Sequence, residues 1–317
     1  TINASGKASE VNLDQTAATI ETLNITGRAD LALDFLAPAG SKIATIDGSK
    51  AQGNLTFSNT TNMTSIKTGS GNDTVTVAAA VASGETINLG AGNDKLVAGA
   101  ATSTVAAGSI IDGGAGIDSL DSTLVTVGNA GVFANFETLS INTTAADLDL
   151  ALVNKSTFTT IAIDGASAST VRNVSKSQSL TVNATAPTIT TTLLFKNVAG
   201  TADAYKINFN ADNTAATNAG TVVVDKIETV TVNSVGKTGA TNIINLKDAD
   251  AKSLVITGDK AIDVTFTQFG TAFTGTDGKG VSTIDASAST AGITLGTSIS
   301  NLKTAWSGLT IDRKSVV

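Results

Sequence analysis

Apolar and polar residues alternate along most of this chain in short runs. Ile20-Glu-Thr-Leu-Asn-Ile25, Phe136-Glu-Thr-Leu-Ser-Ile141 and Ile227-Glu-Thr-Val-Thr-Val232 are three versions of one run, and Ser179-Leu-Thr-Val-Asn183 and Ser253-Leu-Val-Ile-Thr257 are close to it. Alternation over about four to six residues marks a half-buried strand. A second run, Ile46-Asp-Gly-Ser49, Ile163-Asp-Gly-Ala166 and Ile284-Asp-Ala-Ser287, ends a strand on an aspartate that can accept from the following turn. No long stretch carries a helical period, and Asp14 to Leu23 and Asp147 to Asn154 are each expected to make a short helical turn at most. The expected fold is all-β: a parallel β-solenoid or β-roll-like stack of strands whose units bury a core only against their neighbours.

The two ends share a larger unit. Leu23-Asn-Ile-Thr-Gly27 matches Leu254-Val-Ile-Thr-Gly258, and Ile46-Asp47 matches Ile284-Asp285 with seven more residues between. Extended further, Ile66-Lys-Thr68 falls on Leu302-Lys-Thr304 and Asp73 falls on Leu309, so the array reads as a degenerate tandem duplication whose second copy has lost the aspartate.

That aspartate belongs to the most specific pattern in the chain. Thr68-Gly-Ser-Gly-Asn-Asp-Thr-Val-Thr76, Leu89-Gly-Ala-Gly-Asn-Asp-Lys-Leu-Val97 and Gly113-Gly-Ala-Gly-Ile-Asp-Ser-Leu-Asp121 follow the nonapeptide G-G-x-G-x-D-x-U-x, in which U is a large apolar residue. It is the calcium-binding (hemolysin-type) repeat of RTX proteins. Only the third copy is complete, because Thr68 and Leu89 stand where the first glycine belongs. One such segment would be weak, since Gly, Asn and Asp also make ordinary turns. Three in succession, each with its apolar residue in place, point to Ca2+.

Glycine tolerates positive φ, which lets the chain turn sharply and aim carbonyl oxygens inward, and calcium takes six to eight oxygens from carbonyls and carboxylates. The expected metal-site residues are Gly69, Gly71, Asn72 and Asp73; Gly90, Gly92, Asn93 and Asp94; and Gly113, Gly114, Gly116 and Asp118, with the aspartates as charged ligands. Val75, Leu96 and Leu120, two places on, are expected to point the opposite way into the core. Asp73 and Asp94 are 21 residues apart and Asp94 and Asp118 are 24 apart, which leaves room for one further strand per motif, at Glu85–Leu89 and Gly108–Ile111. The loops should stack on one edge and hold about two ions between them, with the Ala/Ser/Thr/Gly turns near 78–84 and 99–108 on the other. Glu21, Glu137 and Glu228 are expected to be solvated, and Asp47, Asp164 and Asp285 to form turns, rather than to bind metal. Trp306, Tyr205 and Met63 read as packing residues. Frequent Thr-x-Thr steps lack the register of a flat ice-binding face and follow from strand propensity.

Composition narrows the class. The 317 residues are 41% hydrophobic but only 4% aromatic, which suits thin layers of small aliphatic side chains. A net charge of -7 with no basic cluster argues against nucleic acid as a partner. There is no cysteine, so disulfides are excluded, and metal stacking is a plausible substitute. There is no histidine either, which excludes a Ser-His-Asp triad, an HExxH zinc site and imidazole acid–base chemistry; no enzymatic activity is expected. No apolar run is long enough for a membrane span. The chain opens at Thr1 without a methionine, as expected of a segment of a longer protein. Asp312-Arg-Lys-Ser-Val-Val317 breaks the composition and back-translates to GATCGGAAGAGCGTCGTG, which resembles a sequencing-library adapter; residues 312–317 are expected to be a non-native tail.

The loops at 89–94 and 113–118, then Phe136-Glu-Thr-Leu, the Thr/Ala/Asn-rich stretch, Ile227-Glu-Thr-Val and Lys252-Ser-Leu-Val-Ile-Thr-Gly258, follow in an order that resembles the C-terminal, RTX-bearing part of bacterial surface-layer (S-layer) proteins of the Caulobacter type, which leave the cell by type I secretion. The resemblance covers most of residues 19–295. It implies a calcium-stabilised structural protein, extracellular, self-associating into a lattice on the cell surface. It also implies contact with outer-membrane lipopolysaccharide through regions outside this chain. The expected organisation is a β-rich repeat unit at 1–66, a calcium β-roll at 67–125 and an S-layer-like solenoid at 126–311. The alternatives are a stalk or adhesive segment of an RTX adhesin, which shares loops and solenoid but forms no sheet, and the non-catalytic tail of a secreted hydrolase.

Overall fold

The computed structural model describes residues 1–14, 19–36, 42–142, 146–237, 241–269, 281–296 and 310–312. It is all-β: parallel strands stacked coil on coil into a β-solenoid, with two single 3-10 turns, Ser122–Leu124 and Ala130–Val132, as the only helical pieces among those residues. Neither segment expected to make at most a short helical turn is helical where described: 14 and 22–23 are strand and 19–21 irregular, and 147–149 are strand followed by turn residues at 150–152 and 154. No helix among the described residues is long and apolar enough to cross a membrane.

Two compact units divide the chain. Unit 1 comprises Thr1–Ser140 with Ala151–Phe158, and unit 2 comprises Ile141–Leu150 with Thr159–Val317. In unit 1 every coil gives one strand to each of two parallel sheets. The first sheet runs Ile2–Ala4, Thr22–Gly27, Thr45–Ala51, Ser65–Lys67, Thr86–Asn88, Ile110–Asp112, Phe133–Ala134. The second runs Ser9–Asp14, Leu31–Leu36, Leu55–Ser58, Thr74–Val77, Lys95–Ala98, Ser119–Asp121, Thr138–Ile141. Residues 67–125, with the three motifs, share both sheets with residues 1–66.

Register makes the core. Leu23, Ile46, Ile66, Ile87, Ile111 and Phe133 pair in succession down the first sheet, and Leu33, Phe57, Val75, Leu96, Leu120 and Leu139 down the second. All twelve are buried. Each such side chain removed from water contributes on the order of 2 kcal/mol, and period-2 alternation keeps every coil in step, because a one-residue slip would turn its apolar set outward.

Unit 2 repeats this plan with Ala146–Asp149, Ser169–Val174, Thr190–Phe195, Asn218–Val223, Asn242–Asp248, Ile262–Phe269 and Ile293–Leu295 in one sheet. The other sheet contains Thr160–Ile163, Ser179–Val182, Ala204–Phe209, Thr229–Asn233, Ser253–Thr257, Thr283–Asp285 and Thr310–Asp312. The segments matched as a sequence duplication lie in different sheets, Thr22–Gly27 in the first sheet of unit 1 and Ser253–Thr257 in the sheet of unit 2 that contains Thr160–Ile163, but share local features. Leu23 pairs with Ile46 and Leu254 pairs with Ile284, and Gly27 and Gly258 both have positive φ, +109° and +103°. A Cβ on either would stand 1.9 or 2.1 Å from a carbonyl oxygen of the preceding coil. The remainder of the second copy, Leu302-Lys-Thr304 and Leu309, lies outside the described residues, as do Trp306 and 313–317; Asp312 pairs with Asp285.

Candidate metal centre

The three motif loops stack as the turns that lead from the first sheet into the second. Thr68, Leu89 and Gly113 donate their N–H groups to Asn88, Asp112 and Ala134 carbonyls at 2.9 Å each; this ladder bond needs no glycine at 68 and 89, whereas a Cβ on Gly113 would fall 2.1 Å from the Asn135 oxygen. The later glycines are obligatory. Gly92 and Gly116 hold φ of +129° and +146°, and a Cβ on them would fall 2.0 and 1.7 Å from the oxygens of Gly71 and Gly92 one coil back. Gly90 and Gly114, at +90° and +98°, meet Gly69 and Gly90 in the same way. Gly69, Gly71 and Gly113 lie equally close to the backbones of Ala51, Gly53 and Asn135. The carbonyls of Gly69 and Gly90 accept N–H groups of Ala91 and Ala115 at 2.8 and 2.9 Å, so they lie along the stack and each retains one lone pair.

This tight stacking builds a ladder of carboxylates. Asp73 Oδ1 accepts the Leu55 N–H at 2.7 Å, Asp94 Oδ1 accepts the Asp73 N–H at 2.7 Å, Asp118 Oδ1 accepts the Asp94 N–H at 2.8 Å, and Glu137 Oε2 accepts the Asp118 N–H at 2.9 Å. Each acid thus fastens its own coil to the preceding one. A second ladder runs beside it in the opposite sense: Asp30 accepts from Asn54 N–H, Asn54 from Asn72, Asn72 from Asn93, and Asn93 from Ile117, at 2.6–3.0 Å. Asn72 and Asn93, expected at the metal, are members of this outer and more exposed ladder.

Asp73, Asp94 and Asp118 are fully buried, and none has a lysine or arginine within ion-pair distance among the described residues. Burial pushes Asp94 up to about 7, with the charges of Asp73 and Asp118 adding to it, and pushes Asp118 up to about 6, with Glu137 and Asp112 adding. Burial raises Asp73 as well, against hydrogen bonds from Leu55, Thr68 and Gly69. The Oδ2 atoms of Asp94 and Asp118 are buried without a hydrogen-bond partner, whereas Gly69 N–H donates to Asp73 Oδ2 at 3.0 Å. An orphaned buried carboxylate oxygen costs free energy that a bound cation would recover. Asp94 and Asp118 therefore fit a hard cation best. No group of three or more His, Cys, Asp or Glu side chains able to hold a metal occurs among the described residues, so an ion here would take carboxylates from adjacent coils and oxygens of the loop backbone.

Three expectations are corrected. Val75, Leu96 and Leu120 do not point away from the aspartates: both sets are buried, because two residues along an extended chain return a side chain to the same face. The aspartates continue a column occupied by Leu31 and Leu55 in earlier coils, and burial is tolerated because a backbone N–H meets each carboxylate. Glu137 is only half-buried but, like Glu228, accepts a backbone N–H from the preceding coil, and Glu228, at 8% exposed, is not solvated. Glu21 is exposed as expected. Asp47 forms no turn: it accepts from Ser49 N–H and Oγ within the strand Thr45–Ala51, where the register with Thr22–Gly27 shifts, while Asp285 accepts the Ser287 N–H at the turn that follows its strand; these bonds hold both carboxyls below the usual range, and Asp164 accepts the Asn183 amide. Asp30 and Asn54 were missed, although Asp30-Leu31, Asn54-Leu55, Asn72-Asp73 and Asn93-Asp94 repeat one two-residue pattern.

The chain matches no protein-family model, and no curated protein matches it.

Proposed function

We propose that this chain is a calcium-stabilised structural component of a bacterial surface layer, exported by type I secretion and self-assembling into a lattice outside the cell. The observation that carries the calcium reading is the buried ladder of Asp73, Asp94 and Asp118, with two carboxylate oxygens lacking a partner and no lysine or arginine within ion-pair distance among the described residues. The family resemblance supports the lattice reading. No catalytic role is proposed for a chain without histidine or cysteine.

Calcium supplies positive charge to oxygens that protein groups leave uncompensated. Asp94 and Asp118 hold the ion, with backbone oxygens of the motif loops completing its shell. At low calcium, as inside a cell, the ionised ladder repels itself and weakens the stacked coils, which favours an export-competent chain. At millimolar calcium the folded state alone binds the ion well, and binding free energy becomes folding free energy. The glycine turns and the Asn ladder then hold the loops in register without further change.

Calcium titrated into the full chain, followed by light scattering and reversed with chelator, tests the lattice reading. Growth into large, reversible assemblies is the expected result. A compact monomer at every calcium concentration would overturn self-assembly and favour an adhesin stalk.

A further inference from the structure

The column that carries acids through the motif loops of unit 1 recurs in unit 2 with different company. Asp118 directly precedes the strand Ser119–Asp121, and its N–H donates to Glu137 Oε2 on the next coil. Asp203 directly precedes the strand Ala204–Phe209, and its N–H donates to Glu228 Oε2 on the next coil at 2.8 Å. The pairs Ser119–Thr138 and Ala204–Thr229 put the two steps in the same register.

From there the columns differ. In unit 1 the two coils before Asp118 bring Asp94 and Asp73, and no lysine or arginine pairs with any of the three among the described residues. In unit 2 the flanking coils bring lysines. Lys176, on the coil before Asp203, forms an ion pair with Asp203 Oδ1. Lys252, beside Ser253, which pairs with Thr229, places Nζ 3.6 Å from Glu228 Oε1. The unit 2 column reads Lys-Asp-Glu-Lys and is electrically balanced; the unit 1 column brings Asp73, Asp94 and Asp118 together with no lysine or arginine in an ion pair with them among the described residues. The need for balance is shared, since the Asp203 and Glu228 side chains are only 8% and 11% exposed. A buried carboxylate needs a partner of opposite charge, and for Asp203 and Glu228 the chain carries that partner itself.

We infer that Lys176 and Lys252 are tethered counter-ions that take in unit 2 the place calcium takes in unit 1. Calcium dependence is thereby placed on the column of Asp73, Asp94 and Asp118, and the column of Lys176, Asp203, Glu228 and Lys252 holds without metal. The first half of this inference rests on the calcium reading of Asp94 and Asp118; the second rests on the ion pairs alone.

Hydrogen–deuterium exchange of the full chain in calcium and in chelator tests both halves. In the wild type, amides of 69–121 should exchange at least about tenfold faster in chelator, and those of 203–233 should be unchanged. Lys176→Met with Lys252→Met should accelerate exchange at 203–233 by about tenfold or more and leave the calcium response of 69–121 as it was. Adding Asp203→Asn and Glu228→Gln to that double variant should restore protection, because the amides keep the acceptor oxygens and remove the unbalanced charge. Loss of protection at 203–233 in wild type on chelation would overturn the inference, as would a quadruple variant no better protected than the double. If 69–121 ignore calcium while the double variant still opens 203–233, the calcium reading fails and the substitution of lysine for metal fails with it, leaving only a structural ion-pair column.

Discussion

Calcium at about 1,000 times its dissociation constant is expected to raise the unfolding midpoint of unit 1 by on the order of 10 °C over the chelated protein. A ligand bound only by the folded state at that ratio contributes about 4 kcal/mol, and a unit of this size shifts by roughly 2–4 °C per kcal/mol. The structural reason for so large a response is that without a cation the stack must either bury carboxylate charge on three aspartates in one column or take up protons to neutralise it. Their backbone hydrogen bonds satisfy one oxygen of Asp94 and one of Asp118 and leave Oδ2 of each without a partner. Scanning calorimetry of the full chain measures this directly. An unchanged thermogram on chelation would show that the ladder is held without metal.

The second large effect is a stability that falls as pH rises in chelator. Asp94 and Asp118 have folded-state pKa values of about 7 and about 6, and Asp73 is also raised, all first by burial. In unit 2, burial with Asp225, Asp250 and Glu228 nearby pushes Asp248 up to about 8. A carboxyl raised on folding binds more protons in the native state. Its stabilisation is complete below the unfolded value near 3.8 and is lost as pH rises through the folded value. The loss runs over the pH range between the unfolded and folded values of each group, so chelated protein should be most stable near pH 4 and progressively weaker up to pH 8. Below pH 4 the lowered carboxyls of Asp47 and Asp285 give a small slope of opposite sign. Urea unfolding across this range should show the decline. Asp94→Asn with Asp118→Asn should reduce the slope between pH 4 and 7, leaving the part due to Asp73 and Asp248, and calcium should reduce it in wild type because the ion holds Asp94 and Asp118 ionised. A stability rising from pH 5 to 8 in chelator would contradict the burial of these carboxylates.

Most of the architecture was legible from local pattern, because a solenoid repeats locally. Alternating runs such as Ser253–Thr257 and the apolar residue after each motif aspartate placed strands and core correctly, since period-2 burial is set by neighbours in sequence. Side-chain direction at the loops was misread: the aspartates were assigned to a metal face opposite the core, whereas they sit inside it, in line with Leu31 and Leu55. The sequence shows a turn but not which coil closes over it. The same limit hid Glu137, Glu228 and the lysines beside Asp203. Their partners lie 19 to 27 residues away, and only strand register reveals that these positions share one column. Asn72 and Asn93 were legible as loop residues, but their work in the outer ladder depends on Asp30 and Asn54, which belong to no calcium motif.

The most direct measurement is calorimetric titration of calcium into the wild-type chain and into Asp94→Asn with Asp118→Asn, at neutral pH after chelator removal. The amides keep the hydrogen bonds to the Asp73 and Asp94 N–H groups and withdraw the two charges. Saturable calcium binding in the wild type that disappears in the variant, while the β-sheet circular dichroism of the variant persists, is the result expected of a carboxylate ladder built around the ion. Equal binding by the two proteins would place calcium elsewhere and contradict the account.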